Sequence, residues 1–232
     1  MSKLDLEDGD VPSWVLDQLH NHNVHSFHLI GFSPGLRWAL VPPHLEGALL
    51  CVVQSPWITC LALSQISDFP AIALRACVNL TELTISNVNF HLSTVDKQGT
   101  STLTPSFDVR IPQLLMFSCE VYSDQSAMSL LNGKHSNDGP VLDFSNVRML
   151  SLKVDEDLDL AVQHVFLNVT NKLETLQCKV FDFVFTGAPF AGITASINNS
   201  SISTLKQLHF SFASRDFKYS LSRLCEELNL LS

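Results

Sequence analysis

A chain of 232 residues is long enough to bury a sizeable core, and 46% hydrophobic against 16% charged residues excludes a disordered polymer. Fourteen basic residues against 23 acidic ones give a net charge of -9, which repels phosphate backbones. The densest basic stretch, around Lys206, Arg215 and Lys218, is diluted by apolar residues and Asp216, so nucleic-acid binding is excluded, and no apolar run reaches the roughly 18 residues of a membrane span.

Residues 1–23 read as an acidic tail, disordered over Met1 to Asp10 and without a secretory signal, followed by a short capping helix. That helix runs from Pro12 to His20 with Trp14, Val15 and Leu19 on one side. From residue 24 to 232 one phrase keeps returning, apolar-x-x-apolar-x-apolar. Its clearest copy is Leu80-Thr81-Glu82-Leu83-Thr84-Ile85, and others begin at Val24, Ile58, Leu114, Val147, Leu173 and Leu205. This is the strand signature of a leucine-rich repeat. One such strand buries a single face and cannot stand alone, so seven in series imply stacking into one sheet.

Between the strands, Pro43 to Val53 is helical by pattern, with Leu45, Leu49, Leu50 and Val53 on one stripe, and Pro70 opens a second helix through Val78. Further helices fall at about 124 to 132, 159 to 171, 190 to 197 and 217 to 230. The phrases are spaced by 34, 22, 34, 33, 26 and 32 residues. Typical leucine-rich repeats run roughly 20 to 29, so most of these are long, and the asparagine ladder is missing. The Ser/Thr-rich stretch Asn89 to Arg110 and His135 to Pro140 take up the excess as surface loops. The order strand, loop, helix predicts an α/β fold, an irregular leucine-rich-repeat-like solenoid of about seven units.

Alternation sorts each strand. Phe27, Leu29, Leu61, Leu63, Leu83, Ile85, Phe117, Cys119, Leu150, Leu152, Leu176, Cys178, Leu208 and Phe210 are expected inward. Outward lie Ala62, Ser86, Ser118, Ser151 and the candidate binding residues His28, Glu82, Thr84, Glu120, Lys153, Gln177, Lys179 and His209. Six cysteines form no CxxC pair, and Cys119 and Cys178 take a position normally filled by Leu. They read as free thiols in a reducing compartment inside the cell, cytoplasmic or nuclear.

Pro56-Trp57-Ile58-Thr59-Cys60-Leu61 and Cys77-Val78-Asn79-Leu80-Thr81-Glu82-Leu83 resemble the repeats of fungal F-box/leucine-rich-repeat proteins. Ile111 to Cys119 and Asn171 to Leu176 look like that family's later repeats. The resemblance implies a substrate-receptor solenoid. Residues 1–23 are too short to hold the F-box itself, so a ubiquitin-ligase adaptor role is implied only if an F-box is encoded upstream.

Chemical constellations fail on physical grounds. Gly31-Phe32-Ser33-Pro34-Gly35 matches GxSxG, but Pro34 has no N–H for an oxyanion and only one strand precedes it, so it reads as a Pro-Gly turn. His20, His22, His25 and His28 straddle a helix end and both sides of a strand, with no cysteine nearby to complete a zinc set. Asp155-Glu156-Asp157-Leu158-Asp159 lacks a calcium loop's Gly turn and distant Glu, and suits the first turn of a helix. Glu226 and Glu227, beside Leu224, Leu228 and Leu231, suit an amphipathic cap on the last unit.

The sequence therefore predicts a non-enzymatic platform for an unidentified protein partner, with no cofactor, metal, nucleic acid or membrane involved. Two alternatives stand beside it: a truncated or non-functional solenoid fragment, and an enzyme whose active site is carried on the long loops.

Overall fold

A computed structural model describes residues 2–5, 15–16, 18–19, 22–31, 35–91, 111–120, 130–131, 140–154, 164–181, 192–213 and 217–229. Nine strands form one sheet: β1 (Ser2–Asp5), β2 (Ser26–Ile30), β3 (Leu36–Arg37), β4 (Cys60–Pro70), β5 (Glu82–His91), β6 (Met116–Glu120), β7 (Met149–Val154), β8 (Thr175–Phe181) and β9 (Gln207–Ala213). Eight of them follow one another in chain order across the sheet, while β3 pairs with the far half of β4. Every pairing among the described residues is parallel. Parallel neighbours require the chain to cross back between strands. Helical segments lie on those returns: α1 (Pro43–Val53), α2 (Ile72–Arg75), residues 164–169, α3 (Ile193–Ser196) and α4 (Asn199–Ile202), with α5 (Phe217–Leu228) after the last strand. The class is mixed α/β with a parallel sheet.

Each of the seven phrases delivers a strand that starts two residues after its first apolar residue. That first residue lies in the turn before the strand, and in five phrases (Ile58, Leu80, Leu114, Val147, Leu173) it is buried. The next two apolar positions then face the core, because alternate strand residues share one side. From Phe27 through Cys178 they are at most 3% exposed. Leu208 and Phe210 on β9 depart from the expectation: they are only partly buried, as befits the last strand in the order.

The turns lock together through doubled backbone hydrogen bonds. The carbonyl of His25 accepts the N–H groups of both Thr59 and Cys60, and that of Thr59 accepts Thr81 and Glu82. Thr81, Leu115, Arg148 and Glu174 do the same for the turn of the following strand. Behind the sheet, Phe117, Phe144 and Phe166 meet with ring centroids 4.8–5.2 Å apart, and Trp38 packs edge-on against Phe69 at 4.8 Å.

Several expectations need correcting. Ser2–Asp5 is not disordered: it pairs with β2, Leu4 standing opposite Leu29, and so satisfies an otherwise open strand edge. In the first helix Leu16 is fully buried whereas Val15 is only half-buried, so the inward face includes Leu16; Trp14 lies outside the described residues. Pro70 ends β4 rather than opening a helix, and the helix that follows is the single turn Ile72–Arg75. Asn89 to His91 belong to β5, not to a loop. The first expected return helix is described only at 130–131, and residues 92–110, 135–139 and 155–159 lie outside the description.

α1 forms as its pattern predicts. Pro43 sits in its first turn, where a missing N–H costs nothing; of the expected stripe Leu45, Leu49 and Val53 are buried, Leu50 is only partly buried, and Val52 joins the core instead. At the other end, Leu224 of α5 is 4% exposed, and the Glu227 carboxylate accepts from Gly192 N at 3.0 Å and Thr194 Oγ1 at 3.1 Å. This ties the last helix to the start of α3.

Candidate functional site

Register turns the outward residues into three rows that cross the strands. The first reads Ser26, Cys60, Glu82, Met116, Met149, Thr175, Gln207. The middle row reads His28, Ala62, Thr84, Ser118, Ser151, Gln177, His209. Above it lie Ile30, Ser64, Ser86 and Glu120 in one run, and the opposed pair Lys153 and Lys179 with Ser211 in another. Neighbours along a row are about 4.8 Å apart, the spacing of strands in a sheet.

All eight predicted residues lie on this face, seven of them half-buried and His209 exposed. They do not converge on one point. His28 and His209 stand on β2 and β9, with five strands between them in the sheet order. One ion pair crosses the face: Lys179 Nζ donates to Glu120 Oε1 at 3.1 Å, reaching across β7. With side chains 41% and 37% exposed, that pair contributes about 0.2–1 kcal/mol at most. At the far end Gln207 Oε1 accepts from Thr175 Oγ1 at 3.5 Å.

Sequence reading named only Glu82 of the first row and left out its other six members, three of which carry sulfur. Cys60 is half-buried; burial pushes its thiol pKa up, against a hydrogen bond with Ser26 that lowers it, and the neighbouring Glu82 carboxylate raises it further. Met116 and Met149 are half-buried and directly opposite one another. Their signal was present in the sequence, since both fall on the outward set by alternation.

The turn edge carries a separate chain of charge. Glu174 Oε2 accepts from Lys206 Nζ at 2.8 Å, and Glu174 Oε1 lies 3.6 Å from Arg148 Nη1. The Lys206 hydrogen bond and charge hold the Glu174 carboxyl below its ordinary range. Beside it opens a groove of about 1170 Å³, bordered by Val78, Leu115, Asp143, Asn146, Arg148 and Lys172. None of the predicted residues lines it. Val78 and Leu115 at its rim are 47% and 43% exposed.

The other constellations do not assemble. Among the described residues no three His, Cys, Asp or Glu side chains gather as a cation site, and His25 instead stands edge-on to Trp57 at 6.4 Å. Of the GxSxG stretch, Gly31 donates its N–H to the Ser64 carbonyl and Gly35 has φ +104°, while residues 32–34 lie outside the description. Two Asn-x-Thr tripeptides, Asn79-Leu80-Thr81 and Asn168-Val169-Thr170, are engaged in the fold: Asn79 Nδ2 donates to the Pro56 carbonyl, and Thr170 is fully buried. All six cysteines are free thiols. No protein-family model, curated protein or solved structure matches the chain.

Proposed function

We propose that the protein is a non-enzymatic platform that binds another protein across its strands, built as an irregular leucine-rich-repeat-like solenoid. The observation that carries this reading is the three rows of outward side chains, mostly small and polar, held at sheet spacing over β2 to β9. A flat array of that kind offers many weak, spaced contacts, the requirement for recognising a protein surface rather than a small substrate. The resemblance of its turns to F-box-protein repeats supports the same reading.

The test is affinity capture with Glu82, Glu120, Lys153 and Lys179 all changed to Ala. Proteins recovered by the wild type are expected to be lost, with thermal unfolding little changed because these side chains are half-exposed. An unchanged set of captured proteins sinks the strand-face reading. A second reading is favoured by the groove with its exposed Val78 and Leu115. It predicts that Val78→Glu with Leu115→Glu, and not the fourfold alanine variant, abolishes capture.

A further inference from the structure

The groove at the turn edge brings together three kinds of group. Leu80, Leu142 and Phe144 give it an apolar base, at 1%, 2% and 4% exposure, and Val78 and Leu115 add exposed apolar rim. Two side-chain amides border it as well. Asn79 spends Nδ2 on the Pro56 carbonyl and has no bond to Oδ1 among the described residues, and the Gln113 amide bonds nothing among them. The third kind is charge, and it is unevenly spent. Asp143 Oδ1 accepts the Ser145 N–H at 2.8 Å. Arg148 lies 3.6 Å from Glu174, but that carboxylate is held more closely by Lys206, at 2.8 Å. Lys172 Nζ donates to the neutral Asn146 Oδ1 at 2.7 Å and meets no carboxylate among the described residues. Two cations therefore border the groove against one carboxylate, on a chain whose net charge is -9.

These groups narrow the occupant. The groove's volume of about 1170 Å³ exceeds the roughly 300–1,000 Å³ of small-molecule pockets. An acyl chain laid in it would strip water from the amides of Asn79 and Gln113 and give them no bond in return. Nucleic acid is repelled by the net charge. A peptide supplies every complement at once: main-chain groups that donate and accept for the two amides, an apolar side chain for Val78 and Leu115, and a carboxylate for Arg148 and Lys172.

We propose that this groove binds a short acidic peptide segment of a protein partner, in which a large apolar residue stands close to Asp or Glu. The apolar residue packs on Val78 and Leu115, and the carboxylate meets Arg148 and Lys172. This rests on the groove reading above and is independent of the strand face. The two parts divide the work: apolar burial supplies affinity, and the cations select an acidic segment over a neutral or basic one.

The test pans a phage-displayed library of short random peptides on the intact protein and discards those that also bind the Val78→Glu/Leu115→Glu variant. The remaining peptides are expected to pair a large apolar residue with Asp or Glu. Measured by fluorescence anisotropy as synthetic peptides, they are expected to weaken about tenfold with Arg148→Ala/Lys172→Ala. Changing the peptide's own Glu to Gln should cost as much, and combining the two changes should cost little more. All four groove positions are exposed, so thermal unfolding of the variants should stay near wild type. The fourfold Glu82/Glu120/Lys153/Lys179 alanine variant should bind these peptides unchanged. Groove-dependent peptides that lack acidic residues and ignore Arg148→Ala/Lys172→Ala refute the inference and leave the groove reading standing. Oleate bound in the groove with no peptide enriched overturns the peptide occupant. If neither peptide nor oleate binding depends on Val78 and Leu115, the inference and the groove reading both fall.

Discussion

Two glycines predict opposite answers to the same substitution. Gly31 follows β2, is buried, and gives its N–H to the Ser64 carbonyl at 2.9 Å. β2 and β3 both lie against β4. A Cβ added at Gly31 would collide with the Gln65 carbonyl oxygen and the Leu36 amide nitrogen, and would stand 2.7 Å from Leu36 Cβ. Two of these three atoms are backbone, and Gln65 is already left-handed at φ 54°, so no side chain can swing aside to make room. Gly31→Ala therefore requires a retreat of about 1 Å by paired strand, an overpacking cost of about 3 kcal/mol. Gly47, exposed in the middle of α1, has nothing within 4 Å of its added Cβ. Gly47→Ala should stabilise by about 0.5–1 kcal/mol through helix propensity alone. Urea unfolding followed by circular dichroism measures both. If Gly31→Ala lies within about 0.5 kcal/mol of wild type, the close approach of β2, β3 and β4 is wrong.

Ser201, fully buried, donates to the Thr170 carbonyl at 2.7 Å and accepts from Leu173 N at 3.1 Å. Ser201→Ala strands both backbone groups and should cost about 2 kcal/mol by chemical denaturation. Leu176→Ala, at a fully buried central position, should cost about 2–5 kcal/mol in the same assay. Burial pushes the thiols of Cys77 and Cys178 up to about 12 from an ordinary 9.0. These thiols should resist iodoacetamide at pH 8 while the exposed Cys51 and Cys225 react, which mass spectrometry of the native protein reads directly. The same shift sets a sign for stability. Between 9.0 and about 12 the unfolded chain releases these protons and the folded one keeps them, so their contribution is intact below pH 9 and falls as pH rises through that window. Cys77→Ala and Cys178→Ala should each make that alkaline decline shallower.

The strands from β2 onward were legible because each phrase carries its own instruction: a buried plug in the turn, then period-two alternation. α1 was legible from Pro43 and its stripe. β1 was not, because Ser2–Asp5 contains no apolar run and becomes a strand only by pairing with β2. Pro70 misled for a related reason. Proline suits the start of a helix, but equally the end of a strand, and only the partner strand distinguishes them. β3 has two residues and no pattern to read. On the candidate site, alternation sorted inward from outward correctly, whereas everything that depends on register was hidden. Glu120 and Lys179 are 59 residues apart in sequence, and their ion pair exists only once three strands are aligned.

The doubled hydrogen bonds between successive turns have a consequence for how such a surface can change. The six carbonyls that accept them belong to His25, Thr59, Thr81, Leu115, Arg148 and Glu174. An imidazole, two hydroxyls, an aliphatic chain, a guanidinium and a carboxylate all occupy equivalent places, because the doubled bonds are made by main-chain atoms; the Thr59 and Thr81 hydroxyls add one bond each, to the His25 and Thr59 carbonyls. The doubled joint itself therefore sets no requirement on side-chain type at these places. Substitutions there can rewrite what the molecule displays while the main-chain joints persist, so surface chemistry can drift over a constant architecture.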